Sequence, residues 1–317
     1  MQTEKFVPNS ISVNAILGLI SAGTIAIPEI QRPFVWKRSQ VRDLIDSLYN
    51  GYPTGYIITW KNPDVQTKDG GKANGKKVLI DGQQRITALM AAIAGKEVLD
   101  EDFNRDRIKI AFNPLTKDST KRFAVQDASH LKDKKWIPDI SVVFDSTFDP
   151  FDFALEYCAI NEGVKPNDVN KAITELKGIA NRQIGVIELD HSLDIDEVTE
   201  IFIRINSKGT ALSQGDFVMS KMAADKDFNG QILRKLVDYF AHLAVKPYYY
   251  NHIANCDKEF ASTEYLKQIA WLRDDNETVY DPGCDDVIRV AFMHIFKRAR
   301  LAELVQLLSG RDFETRE

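Results

Sequence analysis

Apolar positions along this chain follow two periods, and the change from one to the other divides it into two regions. Val41, Leu44, Ile45, Leu48 and Tyr49 recur at i, i+3, i+4, i+7 and i+8, the single buried stripe of an amphipathic helix. Ser39 predicts the N-cap of that helix and Gly51 its C-terminal stop. Around it lie short β-branched and aromatic runs that read as strands: Thr24 to Ile30, Tyr56 to Trp60, Lys77 to Ile80, Ile108 to Phe112 and Phe123 to Gln126. The stretch Asp64 to Lys76, with Gly70, Gly71 and Gly75, predicts a solvated loop. Two helices follow between Phe151 and Arg182, then a strand Ile184 to Leu189 and a helix from about Ile195 to Asn206 that ends before Gly209. From Ser213 onward the pattern is helix after helix, with no internal repeat or low-complexity tract. The fold class predicted is α/β, a mixed sheet with helices over residues 1–190, followed by an all-helical region over 191–317.

Composition narrows the function classes. The 317 residues carry 41 Lys plus Arg against 46 Asp plus Glu, a net charge of −5, so the chain is no basic nucleic-acid coat. Cys158, Cys256 and Cys284 stand far apart, which excludes a zinc ribbon, argues against a disulfide scaffold and predicts a reduced, cytoplasmic protein. The N-terminal apolar run is broken by Asn14 and Gly18 and does not read as a signal peptide. No run reaches the roughly 20 apolar residues of a membrane span. The chain stops at Glu317 soon after a helix, an ending that fits a fragment as well as a complete protein.

Candidate chemistry concentrates in three stretches. In the first, apolar residues from Val78 run into Asp81-Gly82 and straight on into a helix with Ile86, Leu89, Met90 and Ile93 on one face. A strand, a glycine turn and a helix start bring backbone N–H groups and a positive dipole end to one point, which attracts phosphate. Gly82 allows close approach or positive φ, and Gln83, Gln84 and Thr87 supply neutral donors. Arg85 is out of place by local rules, because a cation in the first helical turn opposes the dipole unless an anion sits there. The blander reading makes Asp81 the helix cap and Arg85 its ion-pair partner. The second stretch, Ile201 to Ser213, clusters Arg204, Asn206 and Lys208 where a helix runs out at Gly209. There the competing reading is a Glu200–Arg204 pair and an ordinary C-terminal stop. In the third, Ile27 to Trp36, Pro28 and Pro33 keep Gln31 and Arg32 extended, while Phe34 and Trp36 read as core.

Other signals are weaker. Gly70 to Lys76 fits the opening of a Walker A loop, but Lys77 stands where the Mg²⁺-binding hydroxyl belongs and a strand follows where a helix is needed. Lys132, Lys134, Lys135 and Trp136 read as a solvated loop, and Tyr248, Tyr249 and Tyr250 as packing between helices. No ligand-spaced His pair, GxSxG elbow or acid cluster at metal spacing is present.

The three stretches IPEIQRPFVW, LIDGQQRITAL and FIRINSKGTALS, in that order, resemble the N-terminal domain of the GmrSD-type modification-dependent restriction endonucleases. The resemblance covers roughly residues 10 to 220 and implies a core fold similar to ParB and sulfiredoxin. It implies a nucleotide-binding and nucleotide-hydrolysing regulatory domain of an anti-phage system that restricts modified DNA, with a nucleoside triphosphate and Mg²⁺ as cofactors. Carried over residue by residue, Asp81, Gly82, Gln83, Gln84 and Arg85 form the phosphate site, with Thr87 beside them. Arg204, Asn206 and Lys208 approach from the second motif, and Gln31 and Arg32 match the first, as a nucleotide or DNA contact. Catalysis falls to Asp81 and Gln84, Asp81 holding the metal or the attacking water. Position 30 is Ile where many relatives carry an aromatic residue, so sensing of a DNA modification is not assigned to it. Full-length relatives carry a His-Asn-His-type nuclease domain that this sequence lacks. DNA cleavage is therefore expected from a further domain or partner subunit, the target being modified phage DNA; a homodimer is a further expected assembly. A second reading makes the fold a non-catalytic DNA- or partner-binding module, and a third a ParB-like nuclease, which the missing acid cluster disfavours.

Overall fold

The computed structural model describes residues 5–26, 34–61, 77–99, 104–193, 197–198, 201, 204, 214–215, 218–219, 222, 228–274 and 280–308. The chain divides into two compact units, Met1–Asp194 and Ile195–Glu317.

The first unit opens with β1 (Phe6–Ser12), α1 (Val13–Ser21), β2 (Ile25–Ala26), α2 (Arg38–Asn50), β3 (Tyr56–Lys61), β4 (Lys77–Asp81) and α3 (Gln83–Ala92). Two small hairpins follow, β5 (Val98–Leu99) with β6 (Arg105–Asp106) and β7 (Ile110–Phe112) with β8 (Phe123–Val125), then α4 (Ala128–Lys132), α5 (Pro150–Ile160), α6 (Pro166–Lys177) and β9 (Gln183–Leu189). The main sheet has the order β1-β9-β3-β4-β2. It is mixed, as predicted: β1–β9 and β3–β4 are antiparallel, β3–β9 and β2–β4 parallel. The chain thus returns after its helices to lay β9 between the N-terminal edge strand and β3. One consequence matters for function. Tyr56 at the start of β3 pairs with Gly185 near the start of β9, and Ile58 pairs with Asp81 at the end of β4, so these three strand ends meet at one end of the sheet.

The stripe of α2 buries Val41, Leu44, Ile45 and Leu48 in a core shared with Val13 and Ile16 of α1, Ile57 and Leu79 of the sheet, and Ile86 and Leu89 of α3. Each such side chain taken out of water contributes on the order of 1.5 to 3 kcal/mol. Gly51 ends α2 at φ 73°, and the Tyr52 amide closes back on the Ser47 carbonyl at 2.8 Å, the hydrogen bond of a left-handed helix stop. The predicted N-cap shifts, however. The Gln40 side chain reaches back to accept the Lys37 amide at 2.8 Å, so α2 starts at Arg38 and Ser39 lies within its first turn. β7 and β8 are shorter than their apolar runs. Of the run Thr24 to Ile30 the structure describes Thr24 as a bend and a strand at Ile25–Ala26; residues 27–30, like the whole of the loop Asp64 to Lys76, lie outside the described residues. β1 and α1 were not among the predicted elements; Ser12 starts α1 by accepting the Ala15 amide at 3.2 Å.

Among its described residues the second unit is helical. It contains α7 (Gly230–Val245), α8 (Tyr250–Cys256), α9 (Lys258–Ala261), α10 (Glu264–Gln268), α11 (Cys284–Phe296) and α12 (Leu301–Leu308). Val218, Met219, Ile288, Phe292, Leu301 and Leu304 form a small core of its own. Of the helix predicted from Ile195 to Asn206, residues 197, 198, 201 and 204 are described and helical. Among the described residues no helix is long and apolar enough to cross a membrane.

Candidate functional site

β4 ends at Asp81, and Gly82 turns the chain into α3 with φ 91° and ψ 12°, in the left-handed region that only glycine enters at little cost. A side chain at Gly82 would also meet Ile57, whose Cγ1 and Cα lie 3.1 and 3.3 Å from the position of a Cβ, so the turn is pressed against β3. The first hydrogen bond of α3 runs from the Ile86 amide to the Gly82 carbonyl at 3.0 Å, and the helix's own ladder does not use the amides before it. Its first turn holds no acidic residue. Gly82 is therefore the N-cap with no side-chain hydrogen bond to the helix, and the reading in which Asp81 caps α3 does not hold.

Arg85 sits in that first turn and folds back toward the sheet. Its Nη1 donates to the Tyr56 carbonyl at 2.7 Å. The guanidinium lies in a notch between two glycines: a Cβ on Gly55 would be 2.9 Å from Nη2, and one on Gly82 would be 3.3 Å from Nη1. Gly55, like Gly82, has positive φ, at 83°. Among the described residues Arg85 forms no ion pair, and its hydrogen bond goes to a carbonyl rather than to Asp81. Burial pushes the guanidinium below its ordinary pKa, and the Asp81 charge, acting through space, offsets part of that. A half-buried cation held at the positive end of a helix dipole is disfavoured twice, by lost hydration and by the dipole. An anion in front of the turn would relieve both, and the helix start offers it backbone donors as well.

The other residues of the motif take distinct places. The Gln84 Oε1 accepts the Val35 amide at 3.0 Å, which fastens the C-terminal end of the IPEIQRPFVW motif onto α3. Phe34 beside it is buried at 8% exposure and Trp36 packs against the core, as expected for both. Gln83 and Thr87 are half-buried on the opening turns of α3, and Asp81 is half-buried at the end of β4. Gln31 and Arg32 lie outside the described residues, as do Asn206 and Lys208. Arg204 is helical and exposed in the second unit. Gly55 and Tyr56 were missed from the sequence. The Pro53-Thr54-Gly55 punctuation before β3 signals a turn, but only the sheet reveals that this turn receives Arg85. Trp136 packs edge-on against His130, Tyr249 against His242, and the Tyr250 hydroxyl donates to the Leu266 carbonyl, while Lys132, Lys134 and Lys135 stay exposed; Tyr248, expected to pack between helices, is instead exposed beside the Tyr249 ring.

Among the described residues no group of three or more His, Cys, Asp or Glu side chains is arranged to hold a metal ion. Asp81 is the acid at the turn, and one carboxylate suits an ion that takes its remaining ligands from phosphate oxygens and water, as Mg²⁺ does.

Compared with known proteins, residues 13–223 match the family described as the GmrSD restriction endonuclease N-terminal domain, a span that contains all three motifs and the whole Gly82 turn. An uncharacterised protein of Methanocaldococcus jannaschii is 25% identical over 234 residues, 63% of this chain. The match spans 39% of that relative's length.

Proposed function

We propose that this chain, which belongs to the GmrSD restriction endonuclease N-terminal domain family, binds a nucleoside triphosphate at the Gly82 turn and so serves as the regulatory module of a restriction system. The observation that carries the reading is Arg85, a half-buried cation without an ion-pair partner among the described residues, held by Tyr56 in a two-glycine notch at a helix start. The amides at the start of α3 would meet phosphate oxygens, and Arg85 would neutralise their charge. Gln84, fastened to Val35, would keep the first motif against the turn. Asp81 fits a Mg²⁺ ion shared with the phosphates; bound there, the ion would neutralise charge on the phosphates. In this reading hydrolysis depends on Asp81 orienting the metal or the water, and on Gln84 beside it. Modified phage DNA would be the target of the whole protein, cut by a His-Asn-His-type nuclease domain or subunit in the cytoplasm, with a homodimer as one form of the assembly.

Two assays test this together. Titration calorimetry of the purified chain with a nucleoside triphosphate and Mg²⁺ is expected to show binding, weakened about 10- to 150-fold in Arg85→Ala, the loss of a charge-assisted hydrogen bond worth roughly 1.5 to 3 kcal/mol. Phosphate release is expected to vanish in Asp81→Asn while binding persists. Unchanged affinity in a folded Arg85→Ala protein would return Arg85 to a structural role. Binding with no turnover in the wild type would leave a regulatory binding module without hydrolysis.

A further inference from the structure

Charge is unevenly spread along this chain. The net charge is −5, yet between Arg105 and Lys135 nine Lys and Arg stand against four Asp, a local excess of the opposite sign. Part of that excess is gathered at one end of β7. The Phe112 amide donates to the Ile137 carbonyl at 2.9 Å, and the Ile137 amide to the Phe112 carbonyl at 2.8 Å. This antiparallel bridge lays the turn before Ile137, residues 132–136, beside the turn that joins β7 to β8, residues 113–122. Lys135 accordingly lines one cleft with Asn113, Leu115 and Thr116. Lys117, Lys121, Lys132, Lys134 and Lys135 are all exposed on these two turns.

The acids of the two turns are engaged locally. Asp118 accepts the Thr120 amide and hydroxyl and pairs with Lys121 at 3.3 Å, and Asp133 accepts the Lys135 amide at 3.0 Å. Glu162 also lines the cleft and offsets one charge. Among the described residues Lys117, Lys132, Lys134 and Lys135 form no ion pair. Carried on flexible stems over two adjacent turns, these four point charges fit a polyanion whose charges repeat along a line better than a single small anion.

We infer that this end of the β7–β8 hairpin is a docking surface for the phosphate backbone of a DNA duplex, gripped without regard to sequence. The inference rests on the DNA target proposed above and not on the nucleotide at Gly82, because the surface is built on this hairpin rather than on the main sheet.

Fluorescence anisotropy with a labelled duplex of arbitrary sequence, on the full chain without nucleotide, tests it across a salt series. The wild type is expected to bind, with affinity falling steeply as salt rises, each lysine on a phosphate contributing about −0.9 to the log–log slope. Lys134→Gln with Lys135→Gln should make the slope shallower by about 1.8 and weaken binding on the order of 10- to 100-fold at low salt. Adding Lys117→Gln should remove about 0.9 more, because the second turn grips the same duplex. Lys258→Gln with Lys297→Gln removes as many exposed charges from the helical unit and should leave the slope unchanged. Absence of duplex binding, an unchanged slope in the Lys134 and Lys135 variant, no further change on adding Lys117→Gln, or an equal loss in the Lys258 and Lys297 variant would overturn the inference. So would poly-glutamate binding as tightly as the duplex, which would make the partner an acidic protein. Calorimetry with a nucleoside triphosphate keeps the two readings apart: a wild type that binds nucleotide but no duplex loses this surface alone, and one that binds duplex but no nucleotide loses the Gly82 site alone.

Discussion

Gly55→Ala separates what the two-glycine notch does for stability from what it does for Arg85. Gly55 has φ 83°, where an L side chain costs roughly 1 to 2 kcal/mol. Its Cβ would arrive 2.9 Å from Nη2 and 3.3 Å from Cζ of Arg85, too close for the guanidinium to remain. A side-chain end can retreat, so the folded state should lose little beyond the backbone strain. The stability cost should therefore match that of Gly163→Ala, a glycine with φ 77° and nothing within 4 Å of its Cβ position. For a unit of this size each kcal/mol moves Tm by about 2 to 4 °C, so both variants should melt roughly 2 to 8 °C below the wild type. Their ligand binding should differ. Gly163→Ala should bind a nucleoside triphosphate as the wild type does, whereas Gly55→Ala should lose most of what Arg85→Ala loses, about 10- to 150-fold. The decisive comparison is the double variant: if Gly55 acts through Arg85, combining both changes weakens binding no further than Arg85→Ala alone. Losses that add, or a Gly55→Ala protein that binds normally, would refute the argument that the notch positions the cation.

Three further outcomes follow from the described structure. Gly82→Ala adds contacts with Ile57 to the same backbone strain, including one with main chain that cannot swing aside, so its Tm should fall further than that of Gly163→Ala; an equal fall would mean that the turn has room the geometry denies. The Thr59 hydroxyl is buried at 1% exposure with no hydrogen-bond partner among the described residues, so Thr59→Val should raise stability by about 1 kcal/mol in denaturant unfolding, and a loss of stability would point to a partner for that hydroxyl. Burial, and then the Asp238 charge, push the Cys284 thiol up to about 12, so at pH 8 it stays protonated and should resist iodoacetamide while exposed Cys256 is labelled; peptide mapping that finds Cys284 modified first would contradict the assigned burial.

How much of this was legible in the sequence depended on whether the signal was local. The stripe of α2, the strand β3 and the strand–glycine–helix passage at Asp81 to Arg85 each follow from a period or from one residue's conformational freedom, and each was readable. The N-terminal strand was not. Phe6-Val7-Pro8-Asn9-Ser10 is an exposed edge strand, so neither face has to alternate, and its Pro and Asn read as loop residues. The start of α2 moved because Gln40 caps Lys37 from inside the helix, a side-chain choice that Ser39 concealed. At the site itself, Arg85 stood out as a cation in the wrong helical turn, and the available local explanation was a pair with Asp81. Its actual partner, the Tyr56 carbonyl, lies 29 residues earlier. Gly55 likewise acquires meaning only when β3 lies beside β4. These are tertiary placements, and no period along the chain encodes them.

Hydrogen–deuterium exchange across Gly82 to Ile86 tests the central claim most directly, because the claim is that backbone amides at the start of α3 receive the phosphates. With a saturating nucleoside triphosphate and Mg²⁺, the peptide covering this turn should exchange markedly more slowly than in the free chain, and the effect should be lost in Arg85→Ala at the same ligand concentration. If calorimetry shows nucleotide binding while exchange at the turn is unchanged and protection appears elsewhere, the phosphate site is not at Gly82 and the account built on Arg85 is contradicted.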